Sequence, residues 1–217
     1  MIKISASTDP AGSRLTEYIK ELDALNIDMF HCDIMDGNFV EAKTFDYEKV
    51  AEINNMTTTV LDVHLMIEEP QKVVKSYIKA GANIITVHYE SFDSIKSLLK
   101  VVKYIKKRGV MAGLSFKPST NLEYIKPLLN QFDLILVMSV EPGKSGQTFM
   151  EESLGRIKEL SEYIKKENLH CLIEVDGGIN NNNAKLVSDA GADILVVGSY
   201  LYHSENKKTA LELLKKN

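Results

Sequence analysis

The chain has little cysteine: Cys32 and Cys171 stand alone among 217 residues, and no CxxC pair occurs. That spacing argues against a zinc knuckle and against a disulfide framework. No apolar run approaches the roughly 18 residues that a membrane span needs. Lysine and arginine are not gathered into a block, and the formal net charge is -4. A nucleic-acid surface, which relies on clustered positive charge, is therefore not expected. A small anionic ligand needs only a local site and remains compatible with this charge. The opening MIKISAS enters a strand pattern with no basic segment followed by an apolar one. A cytoplasmic protein with no membrane partner is the expectation.

What the chain does have is alternation. At 44% hydrophobic residues it can bury a sizeable core. Apolar, β-branched runs occur at 2–7, 28–35, 59–67, 83–90, 110–116, 133–140, 171–178 and 193–199. Each is followed by a helical stretch. RLTEYIKELDAL carries apolar residues at 15, 18, 19, 22 and 25, a helix-period stripe. PQKVVKSYIKAGA opens at Pro70 and closes at Gly81, and two further stretches close at Gly109 and Gly191. The run NNNN at 180–183 reads as a turn and a helix cap. Repeated strand–helix units with short connections predict a parallel sheet with helical crossovers. Eight of them fit a closed (β/α)8 TIM barrel, one α/β domain over residues 1–217, better than an open doubly wound sheet.

HCDIMDG at 31–37 loads one face of its strand with His31, Asp33 and Met35, because strand side chains alternate. Barrel active sites lie at the C-terminal ends of the strands, and other unusual residues fall at those ends too. His64 and Met66 end the third strand, His88 the fourth, and Met138 with Ser139 the sixth. Asp176 ends the seventh, and Gly198 with Ser199 the eighth. A lone strand histidine is more often a hydrogen-bonded core residue, and methionines are usually adaptable packing. Two histidines and two aspartates at one mouth would instead supply N and O ligands for zinc, manganese, iron or cobalt. Glycine-rich turns follow the last strands as EPGKSGQ, DGGI and VGS, where barrels often bind phosphate. A nucleotide-binding reading of GKS fails, because Met138 stands where that motif needs glycine.

The segments HCDIMDGNFV, LDVHLMI, ITVHYE, VMSVEPGKSGQ, IEVDGGI and VVGS, in this order and spacing, resemble the ribulose-phosphate 3-epimerase family. The resemblance runs from KISAS near the start to about residue 199. It implies a (β/α)8 barrel that inverts C3 of a small phosphorylated ketose, interconverting ribulose 5-phosphate and xylulose 5-phosphate. It further implies one divalent metal held by His31, Asp33, His64 and Asp176. Asp33 and Asp176 would be the proton-transferring pair. Ser7, His64 and the methionines Met35, Met66 and Met138 would face the substrate. Gly143 and Gly146, Gly177 and Gly178, and Gly198 with Ser199 would hold its phosphate through backbone N–H groups. Asp62 and Glu174 share strand faces with His64 and Asp176, which makes them candidate supports deeper in the barrel. Assembly into a homo-oligomer is left open.

The chain departs from the family pattern in the substrate-facing loops. Lys144 and Ser145 replace an aromatic residue and a glycine, Glu41-Ala42 replaces Pro-Asn, and Glu141 replaces asparagine. TDPAGS follows Ser7 where an apolar stretch is usual. Ser145 would cost roughly 1 kcal/mol relative to glycine at a positive φ, and Lys144 would add a charge contact to phosphate. These changes motivate a second substrate, a ketohexose phosphate such as allulose 6-phosphate. A barrel that binds a sugar phosphate without turning it over is the reading from another class. A decarboxylase or aldolase site built on Asp-x-Lys-x-x-Asp is excluded, since that pattern occurs nowhere in the chain.

Overall fold

Strands with β-branched residues on both faces must be covered on both, and eight such strands satisfy this by closing on themselves. The computed structural model describes residues 2–216, so Met1 and Asn217, the ends of the expected span, lie outside the described residues. The strands are β1 Lys3–Ser7, β2 Met29–Met35, β3 Val60–Met66 and β4 Ile84–His88, then β5 Met111–Phe116, β6 Leu134–Met138, β7 Leu172–Asp176 and β8 Ile194–Val197. They form a closed barrel in sequence order, and the β1–β8 pairing that seals it is parallel like the others. The expected (β/α)8 TIM barrel is the fold.

Helices follow the strands as α1 Leu15–Ala24, α2 Tyr47–Met56, α3 Pro70–Lys79, α4 Ile95–Lys106, α5 Leu122–Ile125, α6 Ser153–Lys166 and α7 Ala184–Ala190, with α8 Ser199–Tyr202 and α9 Lys207–Lys215 closing the chain. Pro70 stands in the first turn of α3, where its missing N–H leaves no bond unmade. Gly191 ends α7 with φ +117°, and a Cβ there would lie 2.3 Å from Ser161 Oγ, so only glycine fits. The fifth crossover is the least regular, because Pro127 turns its second half into a 3-10 helix over Lys126–Gln131. The asparagine run makes the expected turn, but Asn183 does not cap α7 with its side chain. That side chain turns back to accept from the Asn180 N–H and to donate to the Gly178 carbonyl, so it braces the preceding loop.

Alternation divides the core in two. Phe30, Cys32 and Ile34 of β2, with Leu61, Val63 and Leu65 of β3, pack outward against the helices. Met29, Ile84, Leu134, Leu136, Ile194 and Val196 fill the barrel interior. Each such fully buried side chain contributes roughly 1.5–3 kcal/mol of transfer free energy. Toward the C-terminal ends the inward positions carry polar side chains and methionines, and register sets them abreast. Asp33 pairs with His64 and Met35 with Met66 across β2 and β3, while Met138 pairs with Asp176 across β6 and β7. No helix among the described residues is long and apolar enough to cross a membrane.

Candidate active site

The strands end in a cavity of about 210 Å³ at the C-terminal mouth. Asp33 and Asp176 form part of its floor, Met35, Met66 and Met138 part of its wall, and Ser7 reaches in from β1. Gly143, Lys144, Ser145 and Gly146 border it from the loop after β6, and Gly177, Gly178, Gly198 and Ser199 from the turns after β7 and β8. His31 and His64 lie fully buried beneath. Donor atoms of His31, Asp33, His64 and Asp176 all fall within 4.8 Å of one another. The metal, catalytic and substrate-facing positions expected from the sequence therefore converge on this mouth or its floor.

Asp33 Oδ1 lies between the two imidazoles, 3.1 Å from His31 Nε2 and 2.9 Å from His64 Nδ1. The two rings thus present different nitrogens, and each is backed from behind by a different group. His31 Nδ1–H donates to Asp62 Oδ2 at 2.5 Å, and Ser5 Oγ donates to the same oxygen at 3.0 Å. Asp62 is thus the support anticipated from its strand face. Glu174 is placed beside it but differently: neither of its oxygens has a protein hydrogen-bond partner among the described residues. Behind His64, Nε2 lies 2.9 Å from His88 Nε2, and His88 Nδ1 lies 3.3 Å from Glu90 Oε2.

These surroundings drive the titratable groups apart. Burial opposes charge on His31, but Asp33 and Asp62 on either side outweigh it and hold its pKa well above the ordinary value. Burial also penalises charge on Asp33, yet the contacts with His31 and His64 keep its carboxyl below the usual range. Asp176 has no such partner: burial, then the charge of Asp33, push it up to about 6. Glu174 is held well above the ordinary carboxylate value by burial and by Asp62. His88 is brought down to about 4, chiefly by burial.

The loops around the mouth are built on backbone geometry. Gly178 has φ +66°, and a Cβ there would lie 2.3 Å from the Phe149 backbone nitrogen, so no side chain fits where the β7 turn meets the β6 loop. Ser139 Oγ donates to the carbonyls of Asp176 and Gly177, tying β6 to the same turn. In the β6 loop, Gly143 and Gly146 take positive φ, whereas Ser145 is not among the positive-φ residues. The strain anticipated for Ser145 is absent, because its neighbouring glycines absorb the turn. Gln147 Nε2 steadies the loop by donating to the carbonyls of Glu141 and Lys144.

Lys144 is exposed at the rim, and Lys144→Ala is expected to raise KM about two- to fivefold with less effect on kcat, as for an exposed charge contact worth ~0.5–1 kcal/mol. Steady-state kinetics check this, and an unchanged KM would make Lys144 a solvated surface residue. Two contributors escape a reading of the sequence. Asp9 lines the cavity, half-buried, with its pKa raised by burial and by Asp33. The only signal for it is the polar TDPAGS segment after β1. Glu90 stands behind His88 and His64, and its signal is a carboxylate two residues beyond the histidine that ends β4.

Fold and site define a (β/α)8 barrel with a His/Asp cluster capable of holding a metal, set under a glycine-rimmed mouth. The sequence model of the ribulose-phosphate 3 epimerase family matches residues 3–202. The chain belongs to that family, whose members are isomerases acting on carbohydrates. It is 44% identical over 189 residues to the ribulose-phosphate 3-epimerase of Chlamydia pneumoniae, covering 86% of this chain and 81% of that one. The Bacillus subtilis ribulose-phosphate 3-epimerase is 38% identical over 213 residues, with 97% of each chain covered. Among solved structures, the 3-keto-L-gulonate-6-phosphate decarboxylase of Vibrio cholerae superposes with a TM-score of 0.72 at 13% identity, over 98% of this chain and 95% of that one. At that identity the likeness concerns the fold alone.

Proposed function

We propose that this barrel, as one domain, interconverts D-ribulose 5-phosphate and D-xylulose 5-phosphate by moving a proton at C3, with one divalent metal at the His31/Asp33/His64/Asp176 cluster. The observation that carries this reading is the pair Asp33 and Asp176. Both contribute to one cluster of donor atoms within 4.8 Å, and their surroundings shift their pKa values in opposite directions. Epimerisation next to a ketone removes a proton from one face of the carbon and returns one to the other. The intermediate is an enediolate, so the site needs one carboxylate that accepts and one carboxylic acid that donates. Asp33 on β2 and Asp176 on β7 line the same cavity from strands separated by β1 and β8.

Two imidazoles and two carboxylates suit zinc, manganese, iron or cobalt. When bound, such an ion supplies Lewis-acid stabilisation of charge developing on the substrate oxygens. The protein's own part is positional. Met35, Met66 and Met138 crowd the reacting carbon without offering protons. Ser7 hydrogen-bonds the sugar, and the backbone N–H groups of the turns after β6, β7 and β8 receive the phosphate. The cytoplasm is the proposed compartment.

The altered rim at Asp9, Lys144 and Ser145 favours a second substrate reading, a ketohexose 6-phosphate. Measuring kcat/KM for ribulose 5-phosphate and allulose 6-phosphate separates the two. A preference of at least tenfold for ribulose 5-phosphate, about 1.4 kcal/mol in transition-state binding, is expected. A preference of that size for the six-carbon substrate would overturn the pentose assignment.

A further inference from the structure

The polar segment after β1 brings into the cavity a carboxylate to which proton transfer gives no task. Asp9 lines the same cavity as Asp33, Asp176 and the three methionines. Its neighbours in the chain are anchored on both sides. The Thr8 N–H and hydroxyl donate to the His31 carbonyl at 2.9 and 3.0 Å, which ties the segment to β2. Pro10 packs on the β8 turn, where a Cβ on Gly198 would lie 3.4 Å from Pro10 Cγ. Asp9 is therefore held between the strand that carries Asp33 and the turn that carries Ser199, with the Ser145 side chain beside it. Burial and the charge of Asp33 both oppose its ionisation, and no cation among the described residues offsets them. Such a carboxylate gains from a hydrogen-bond donor that arrives with the ligand.

We propose that Asp9 is a specificity-determining residue that accepts a hydrogen bond from the C4 hydroxyl of the ketose phosphate. This deepens the epimerase reading under Proposed function and rests on it. The oxygens on C2 and C3 of a pentulose 5-phosphate belong to the reacting centre, and its phosphate belongs to the turns after β6, β7 and β8. The C4 hydroxyl lies between these two ends, and the methionine wall offers it only weak thioether acceptors. Asp9 stands on the matching arc of the mouth, just after β1, the strand between β2 and β8. A short side chain on an anchored 3-10 turn has little freedom to lose when the sugar binds. The consequence is a preference for ketose phosphates with a free hydroxyl next to the reacting carbon. A deoxy compound would leave the carboxylate desolvated and unpaired, and a site built to pair a hydroxyl rejects the analogue that lacks it.

Turnover of D-xylulose 5-phosphate and of its 4-deoxy and 1-deoxy analogues by metal-loaded wild type, Asp9→Ala and Asp9→Asn tests this. In wild type, loss of the C4 hydroxyl is expected to lower kcat/KM about 10- to 100-fold, the range for a hydrogen bond to a charged group. In Asp9→Ala the same deletion should cost only about twofold, because the two groups no longer interact. Loss of the C1 hydroxyl should have the same effect in both proteins. Asp9→Asn keeps an acceptor oxygen and is expected to retain most of the discrimination. Equal discrimination against the 4-deoxy compound in wild type and Asp9→Ala overturns the proposal, as does coupling of Asp9 to the C1 hydroxyl instead. A lower KM in Asp9→Asn for all three compounds also overturns it, since Asp9 would then face the phosphate. If Asp9→Ala does not fold, Asp9→Leu, closer to aspartate in volume, takes its place in the same comparison. If wild type binds these compounds without turning them over, the epimerase reading falls by itself. Calorimetric Kd values for the three compounds then carry the same comparison and decide the role of Asp9.

Discussion

Asp33→Asn and Asp176→Asn are each expected to lower kcat by roughly 10²–10⁴-fold, the range for removing a positioned general acid or base. The two substitutions fail for different reasons. Asp33 sits between His31 Nε2 and His64 Nδ1, which keep its carboxyl ionised, so an amide there removes the group best suited to accept a proton. Asp176 is pushed up to about 6 by burial and by Asp33, so an amide there removes the group best suited to hold and return one. The methionine wall offers no replacement, since Met35, Met66 and Met138 carry no exchangeable side-chain proton. Steady-state kinetics, with thermal unfolding to show that the variants are folded, provide the check. Wild-type kcat in either variant would refute the two-carboxylate mechanism.

Exhaustive chelation is expected to abolish turnover, with activity returning on addition of zinc, manganese, iron or cobalt. The charge state of the cluster adds a second readout. His31 is held protonated by Asp33 and Asp62 in the metal-free protein, and a cation bound at Nε2 requires that proton to leave. Metal uptake near pH 7 should therefore release protons, and apparent affinity should fall as the pH is lowered. Titration calorimetry in two buffers of different ionisation enthalpy measures the release. Full activity after chelation would contradict metal dependence, and uptake without proton release would remove His31 from the ligand set.

The barrel is legible in the sequence because its signals are local. Apolar runs of strand length, helix stripes, and glycines at helix ends are all read within a window of a dozen residues. The site is legible in part for the same reason: HCDIMDG shows by alternation alone that His31 and Asp33 share a face. What joins them to Asp176 is barrel closure through β1 and β8, which no local pattern contains. The pairing of Asp33 with His64 is a matter of strand register, which the motif positions imply and the structure makes explicit. The apolar runs overshoot the strands at β7 and β8, because Gly177 and Gly178 leave the extended region and Ser199 begins α8. In the sequence His88 is visible only as a histidine at a strand end, and such a residue is usually core. Its partner across the sheet, His64, and the loop residues that fix Glu90 come from other strands and crossovers. Ser145 illustrates the opposite case, where a loop position looks strained by analogy and the flanking glycines carry the turn.

The proposed function stands or falls on whether this cavity moves a proton at C3 of a ketose phosphate. Incubating metal-loaded protein with ribulose 5-phosphate in heavy water, and following the C3 proton by NMR, answers that without a coupled assay. Deuterium is expected at C3 of both epimers, with exchange lost in Asp33→Asn and in Asp176→Asn. A substrate that binds the metal-loaded protein yet keeps its C3 proton would contradict the epimerase reading and make the barrel a sugar-phosphate binder.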